Sequence, residues 1–352
     1  MQIRGAIAVC VALLFTAGAP LALAQDAKKE QEKRSKEERQ DIEALFKMLD
    51  EVESGKQPAP SDVKVDWVRH YFARANDDKT YVPYTVTLDP SGMTNRNAVI
   101  LLRVVKSEPE TTPAATSGRN ERRDNDKDKA EYPWEDIYLV DLSASSGGPF
   151  TLNRAFQVDG GTYDIVMAVR ERTAGRRNAP APKATVMRRS IEVPDFRGAE
   201  LTTSSLFLAD NLESVSAAPS RDEQRENPYT FGTLRIHPAA DSQFSKSEAL
   251  NLWFWLYGVQ PNDAKKPDVS VEFNFHSKTP EGEKFFNKTA PREFNATTVP
   301  PQFEMMPGFG LPVEFSVPLT TFPPGDYRLE IKATDKTSGR TLTRDVLFTV
   351  VA

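Results

Sequence analysis

The stretch Gly325–Val350, GDYRLEIKATDKTSGRTLTRDVLFTV, decides the fold. In its first half Tyr327, Leu329, Ile331 and Ala333 alternate with Arg328, Glu330, Lys332 and Thr334. A period of two, apolar then polar, marks a strand with one face buried. Asp335–Arg340 carries the turn residues Asp, Ser and Gly, after which Leu342, Val346, Phe348 and Val350 resume the period. The pattern predicts a β-hairpin that closes a sandwich.

An internal copy lies at Gly161–Val193. Gly161-Thr162-Tyr163-Asp164-Ile165 aligns with Gly325-Asp326-Tyr327-Arg328-Leu329, and Gly175-Arg176 with Gly339-Arg340, without a gap. Asn178–Ala184 is extra in the first copy, and Ser190–Val193 then meets Leu347–Val350. Two domains ending in the same hairpin explain this most simply.

Outward from the hairpins, seven strand-like runs fill 63–193 and seven more fill 229–350. Turn clusters such as Asp89-Pro90-Ser91-Gly92 and Ser145–Pro149 separate them. Asn97–Val105 is apolar on both faces, as a central strand would be. Many short strands with few helices between them predict an all-β chain of two antiparallel immunoglobulin-like sandwiches in tandem. Lys106–Glu131 holds almost nothing that could enter a core and reads as a disordered insertion. Leu201–Leu212 could pair as an edge strand, whereas Ala217–Asn227 is polar. The expected division is a signal peptide at 1–24, a charged helix at 25–57, a first sandwich at 58–195, a linker at 196–227 and a second sandwich at 228–352.

The N-terminus is read as an export signal. Arg4 precedes the apolar run Ala6–Ala17, and Ala22-Leu23-Ala24 forms an A-x-A cleavage site. The only cysteine, Cys10, falls inside that run, so the mature chain would enter an oxidising space with no disulfide. Apolar burial must then hold it, and its length suffices for two cores. The net charge of −5 lacks the basic footprint of a nucleic-acid binder. No later stretch is long and apolar enough for a membrane span. Gln25–Gln40 is almost wholly charged, and from Asp41 a stripe of Ile42, Leu45, Phe46, Leu49 and Val52 predicts an amphipathic helix. That helix either lies on its own sandwich or serves as a docking element for a partner.

At Leu319–Leu329 the order apolar residue, Pro, Gly, Tyr, then alternation resembles the corner before strand F in fibronectin type III and related immunoglobulin-like domains. That resemblance implies that Tyr163 and Tyr327 are structural corner residues, their hydroxyls bonding back to the corner backbone. The wider run from Trp134 onward, with Val193–Phe196 and Ser204–Leu208, is similar to the β-sandwich regions that accompany von Willebrand factor A-related secreted proteins of acidobacteria-type bacteria. It implies fold and export, and carries over no catalytic residue.

Candidate chemistry is sparse. Asp141-Leu142-Ser143-Ala144-Ser145 fits the D-x-S-x-S loop of a metal-dependent adhesion site. That chemistry also needs a helix directly after the motif, and Ser146-Gly147-Gly148-Pro149 follows instead, so the loop reads as a turn and no metal or cofactor is expected. His70, His237 and His276 lie in separate runs without zinc spacing. There is no G-x-S-x-G elbow, no phosphate-cradling loop and no mature thiol. Non-catalytic function is therefore expected, with a carboxylate-pair hydrolase as a distant alternative, since such pairs meet only in space.

One surface is a candidate for binding. In Leu250–Tyr257 the alternation sends Leu250, Leu252, Phe254 and Leu256 to the core and Trp253, Trp255 and Tyr257 to the other face. Exposed, that ladder would suit a carbohydrate-binding module or clamp an extended peptide. Rings of this size are more often covered. The first reading is thus a secreted or periplasmic binding or scaffold protein with a protein or glycan partner at the cell envelope.

Overall fold

The computed structural model describes residues 35–75, 77–107, 132–144, 148–173, 180–306 and 308–352. The expected signal peptide and nearly all of the expected insertion lie outside these residues. The structure is predominantly antiparallel sheet, as the period-two runs predict. The chain divides into two compact domains, and the division does not follow sequence order. The first holds residues 35–70 and Tyr84–Pro194; the second holds Tyr71–Pro83 and Asp195–Ala352.

In chain order helix α1 (Lys36–Glu53) is followed by β1 (Lys64–His70), β2 (Ala73–Arg74), β3 (Thr80–Asp89), β4 (Asn97–Lys106), β5 (Trp134–Asp141), β6 (Phe150–Val158), β7 (Gly161–Glu171) and β8 (Ala184–Val193), all in the first domain except β2 and the first four residues of β3. Strands β5-β4-β7-β8 form one sheet; β1 and β6 pair with β3 in the other. Val86, Leu88 and Phe156 on one side and Ile100, Leu102, Ile165 and Met167 on the other are buried. Strand β4 is apolar on both faces because α1 covers its outside. Ile42, Leu45 and Leu49 pack on Val99, Leu101, Val166 and Ala168.

Polar contacts fix both ends of α1. Ser35 and Glu38 form a capping box. Asp41, 2% exposed, accepts from Arg172 Nε at 3.1 Å and the Thr173 amide at 2.9 Å. Near the other end Glu53 meets Arg103, which also holds Glu135 at 2.7 Å. The helix is packed as part of its own domain.

The second domain comprises the β2 hairpin together with β9 (Thr202–Thr203), β10 (Phe207–Ser214), α2 (Arg221–Glu226), β11 (Thr230–Phe231), β12 (Leu234–Pro238), β13 (Gln243–Ser245), β14 (Ala249–Tyr257), β15 (Val269–Thr279), β16 (Gly282–Lys288), β17 (Arg292–Phe294), β18 (Leu311–Pro318), β19 (Gly325–Asp335) and β20 (Arg340–Val351). One sheet runs β11-β12-β10-β14-β18 and the other β13-β20-β19-β15-β16. Their shared core joins Leu252, Phe254 and Phe315 to Phe273, Phe275, Ile331 and Phe348.

Two boundaries differ from those read in the sequence. Part of the span 196–227 is strand: Phe207–Ala209 pairs with Trp253–Asn251 at the centre of β14. The reading of Leu201–Leu212 as a possible edge strand holds in part: β10 is a strand, but it lies between β12 and β14 rather than at an edge. The Tyr71–Pro83 hairpin, expected in the first sandwich, belongs to the second domain. There Tyr71 stacks on Phe207 at 4.4 Å, and Phe72 and Ser205 exchange hydrogen bonds at 2.8 Å. The Tyr81 hydroxyl donates to Pro228 O at 2.8 Å. These partners are far away in sequence, so no local pattern announces them.

The two copies share one register. Gly161 pairs with Val193 and Tyr163 with Ile191; Gly325 pairs with Val350 and Tyr327 with Phe348. The Tyr163 hydroxyl donates to Asp159 O at 2.9 Å and that of Tyr327 to Pro323 O at 2.7 Å. Both make the corner bond four residues back.

Candidate functional site

The face proposed for binding from sequence is covered. Trp253 and Tyr257 are buried and Trp255 is half-buried. Trp253 shares a cluster with Phe207, Tyr229 and Ile236, and Trp255 meets Phe231 at 4.7 Å. The Tyr257 hydroxyl accepts from the Arg74 amide at 3.0 Å; burial raises the phenol's pKa, and this hydrogen bond works against that shift. A Cβ on Gly310 would stand 2.6 Å from Tyr257 Cε1 and 2.9 Å from Trp255 Cδ1, so the backbone there lies directly on the rings. No sugar ring can stack on a face so filled. This removes the basis for a carbohydrate-binding reading.

The carboxylates hidden in each domain act as loop fasteners. Ten residues after each hairpin glycine stands a buried acid: Glu171, 3% exposed, and Asp335, 0% exposed. Glu171 accepts from the Asn95 amide, and from the Lys183 amide at 3.0 Å. Asp335 accepts from the Gln260 amide at 3.0 Å, the Thr337 amide at 3.1 Å and the Ser338 hydroxyl at 2.5 Å. In each copy the acid ties the end of the hairpin's first strand to the loop that enters the neighbouring strand, β4 or β15. Asp141 is likewise occupied, taking the Ser143 amide at 2.9 Å and hydroxyl at 2.6 Å, which lowers its pKa. Leu142–Ala144 forms a single 3₁₀ turn, and Ser145 lies outside the described residues. Among the described residues no three His, Cys, Asp or Glu side chains gather as a metal site.

The three histidines make separate contacts. His70 accepts from Trp67 Nε1 at 3.2 Å; burial first, then Arg189, lowers its pKa. His237 lies 2.8 Å from Glu213. A cleft of about 450 Å³ runs beside α1 in the first domain, with Lys47 and Arg170 facing Glu51 and Asp62. Arg170 is already turned to Asp41 and Asp62 to the Ala184 amide.

What remains open is the outward face of β16-β15-β19-β20. Cross-strand register sets Phe285, His276, Arg328 and Leu347 in one row. Phe285 is 60% exposed and Leu347 54%. The Phe285 ring meets the His276 ring edge-on at 5.9 Å. Between the apolar ends, Arg328 is clamped by Glu283 at 2.6 and 2.9 Å, Asp345 at 2.5 Å and Glu330 at 3.2 Å. These contacts raise the Arg328 pKa and lower that of Glu283.

Sequence reasoning passed over this row, yet it left two signals. Phe285-Phe286 are adjacent, so in a strand one ring must face out. Val346-Leu347-Phe348 is unbroken, which puts Leu347 out of phase with its hairpin. The edges of the same domain are blunted. A register shift interrupts β15–β16 at Phe275/His276, Pro312 and Pro318 lie in β18, and the Arg340 guanidinium turns to Ala199 O and Gly258 O. The domain therefore offers a face more readily than an edge.

The class defined by these sheets is an all-β protein of two antiparallel sandwiches. No family model and no curated protein matches the chain. Among solved structures it is similar to trypsin-activated alpha-2-macroglobulin from Escherichia coli, at 10% identity and a TM-score of 0.20. The match covers 84% of this chain and 17% of that one, so the chain spans about a sixth of that protein's length. The likeness is a weak one of fold. Among the described residues no helix is long and apolar enough to cross a membrane.

Proposed function

We propose that the protein is a non-enzymatic binding or scaffold module, exported through an N-terminal signal and acting by protein contacts at the bacterial cell envelope. One observation carries this reading. The same sandwich is built twice, and in both copies the buried acid is consumed as a structural tie. Carboxylates whose two oxygens both accept from loop groups are held in place as structural ties. The chain thus spends its hidden polar groups on presenting a rigid surface.

The test combines position and activity. N-terminal sequencing of the protein from fractionated cells should begin at Gln25, in the periplasmic or extracellular fraction. Photo-crosslinkers placed across the surface of the second domain in living cells should give a discrete adduct with another envelope protein. Turnover of glycoside, ester or peptide substrates by the purified chain, abolished by substitution of an Asp or Glu pair, would sink the reading.

A further inference from the structure

The outward row of the second domain has a chemistry that selects its partner, an inference that rests on the binding role proposed above. We infer that Phe285, Arg328 and Leu347 form a docking face for a cationic polypeptide segment of another protein, one that carries an apolar anchor.

The charge is the first argument. Three carboxylates, Glu283, Glu330 and Asp345, converge on the single guanidinium of Arg328. Lys278, opposite Glu283 in the ladder, offsets one more, so one negative charge is left over, and the cluster is held rigidly because Arg328 is gripped from three strands. A face charged before the partner arrives loses little entropy on binding and steers a cation toward it. The second argument is the pair of apolar side chains. Strand spacing of about 4.8 Å puts Phe285 and Leu347 roughly 14 Å apart, with imidazole and guanidinium between them. Phe285 and Leu347, each more than half exposed, leave apolar surface at both ends of the row for a partner's apolar anchor to cover.

Comparison of the two copies supports the assignment. By register Val166 and Ala168 of the first domain correspond to Glu330 and Lys332 of the second. The first face is apolar and already holds α1. The second has replaced that apolar floor with charge while leaving apolar groups at the ends of the row, and no described segment covers it. Two long segments of the chain itself do not match it. Residues 25–34 contain no apolar side chain larger than Ala27, and residues 108–131 carry more acidic than basic residues with none apolar beyond Ala and Pro. A second copy of the chain, with a net charge of −5, would meet like charge.

The experiment titrates the full-length chain with three synthetic peptides of about twelve residues and equal length: alternating Lys–Leu, alternating Lys–Ser and alternating Glu–Leu. Binding is followed by anisotropy and by NMR of the Leu347 methyl groups. The Lys–Leu peptide should bind and shift Leu347. The Lys–Ser peptide should bind at least tenfold more weakly, and Glu–Leu not at all. F285S combined with L347S should weaken Lys–Leu binding about tenfold, or about 1.4 kcal/mol. Both side chains are exposed, so the variant should unfold like the parent, which a denaturant curve checks. E330Q combined with D345N should flatten the salt dependence. Lys–Leu binding unchanged in F285S/L347S, or equal affinity for Lys–Ser, overturns the inference. So does failure of Lys–Leu to bind. If the envelope crosslinks form while the row stays silent, only this assignment falls; if no crosslink forms anywhere, the binding role itself falls.

Discussion

Replacing Asp335 by Ala tests whether the buried acids are fasteners. The carboxylate has no exposure and accepts from the Gln260 amide, the Thr337 amide and the Ser338 hydroxyl, with the Ser338 amide at 3.5 Å and Arg340 at 3.9 Å. A net hydrogen bond is worth about 0.5–1.5 kcal/mol, more when the acceptor is charged. Thr337 and Ser338 are exposed residues whose amides can turn to water, which returns part of that. The expected cost is therefore about 3 kcal/mol, a large fraction of a domain's total of roughly 5–15 kcal/mol. D335N should cost less, about 1–2 kcal/mol, because one oxygen survives. Urea unfolding gives the global number. Hydrogen exchange of the β19–β20 amides and of Gln260 shows where protection is lost. A D335A cost below about 0.5 kcal/mol would refute the fastener role, as would loss of protection away from the 258–260 loop and the hairpin turn.

Three further outcomes follow from the geometry. Gly258→Ala should be strongly destabilising, because φ is +73° and the new Cβ would fall 2.1 Å from Glu200 O; thermal unfolding should drop well beyond that of a surface Gly→Ala control. Leu45→Ala should cost about 2–5 kcal/mol, since the side chain is fully buried between α1 and its sheet, and should free α1 to proteolysis before the sandwich opens. His70 has a folded pKa below its ordinary 6.5, so the unfolded chain binds more protons as pH falls. Its contribution should be full above pH 6.5 and decline as pH drops from there toward the folded value, and His70→Gln should flatten that part of a melting-temperature profile.

Much of the architecture was legible because strand signals are local. The hairpin at Gly325 could be read residue by residue, and its copy at Gly161 followed. The stripe from Ile42 to Leu49 identified α1, and β4 declared itself central by being apolar twice over. The placement of Tyr71–Pro83 was not legible, since its partners Phe207, Pro228 and Tyr257 are distant in sequence and its own pattern suits either sheet. The Trp253–Tyr257 ladder was seen, but alternation says which side a ring takes and not what lies on it. Glu171 and Asp335 could have been paired by counting ten residues from each glycine. Phe285 and Leu347 showed only as faults in an otherwise regular period, and at those faults the side chains are exposed.

The Tyr71–Pro83 hairpin also imposes an order in time. It is synthesised early, whereas Phe207, Pro228 and Tyr257, which receive it, come much later. A growing chain must carry Tyr71 and Tyr81 without their partners until most of the polypeptide exists, so the second domain cannot finish before its own C-terminal half is made. Cutting the gene at residue 195 would not separate two proteins; it would leave one of them permanently waiting for a piece encoded upstream.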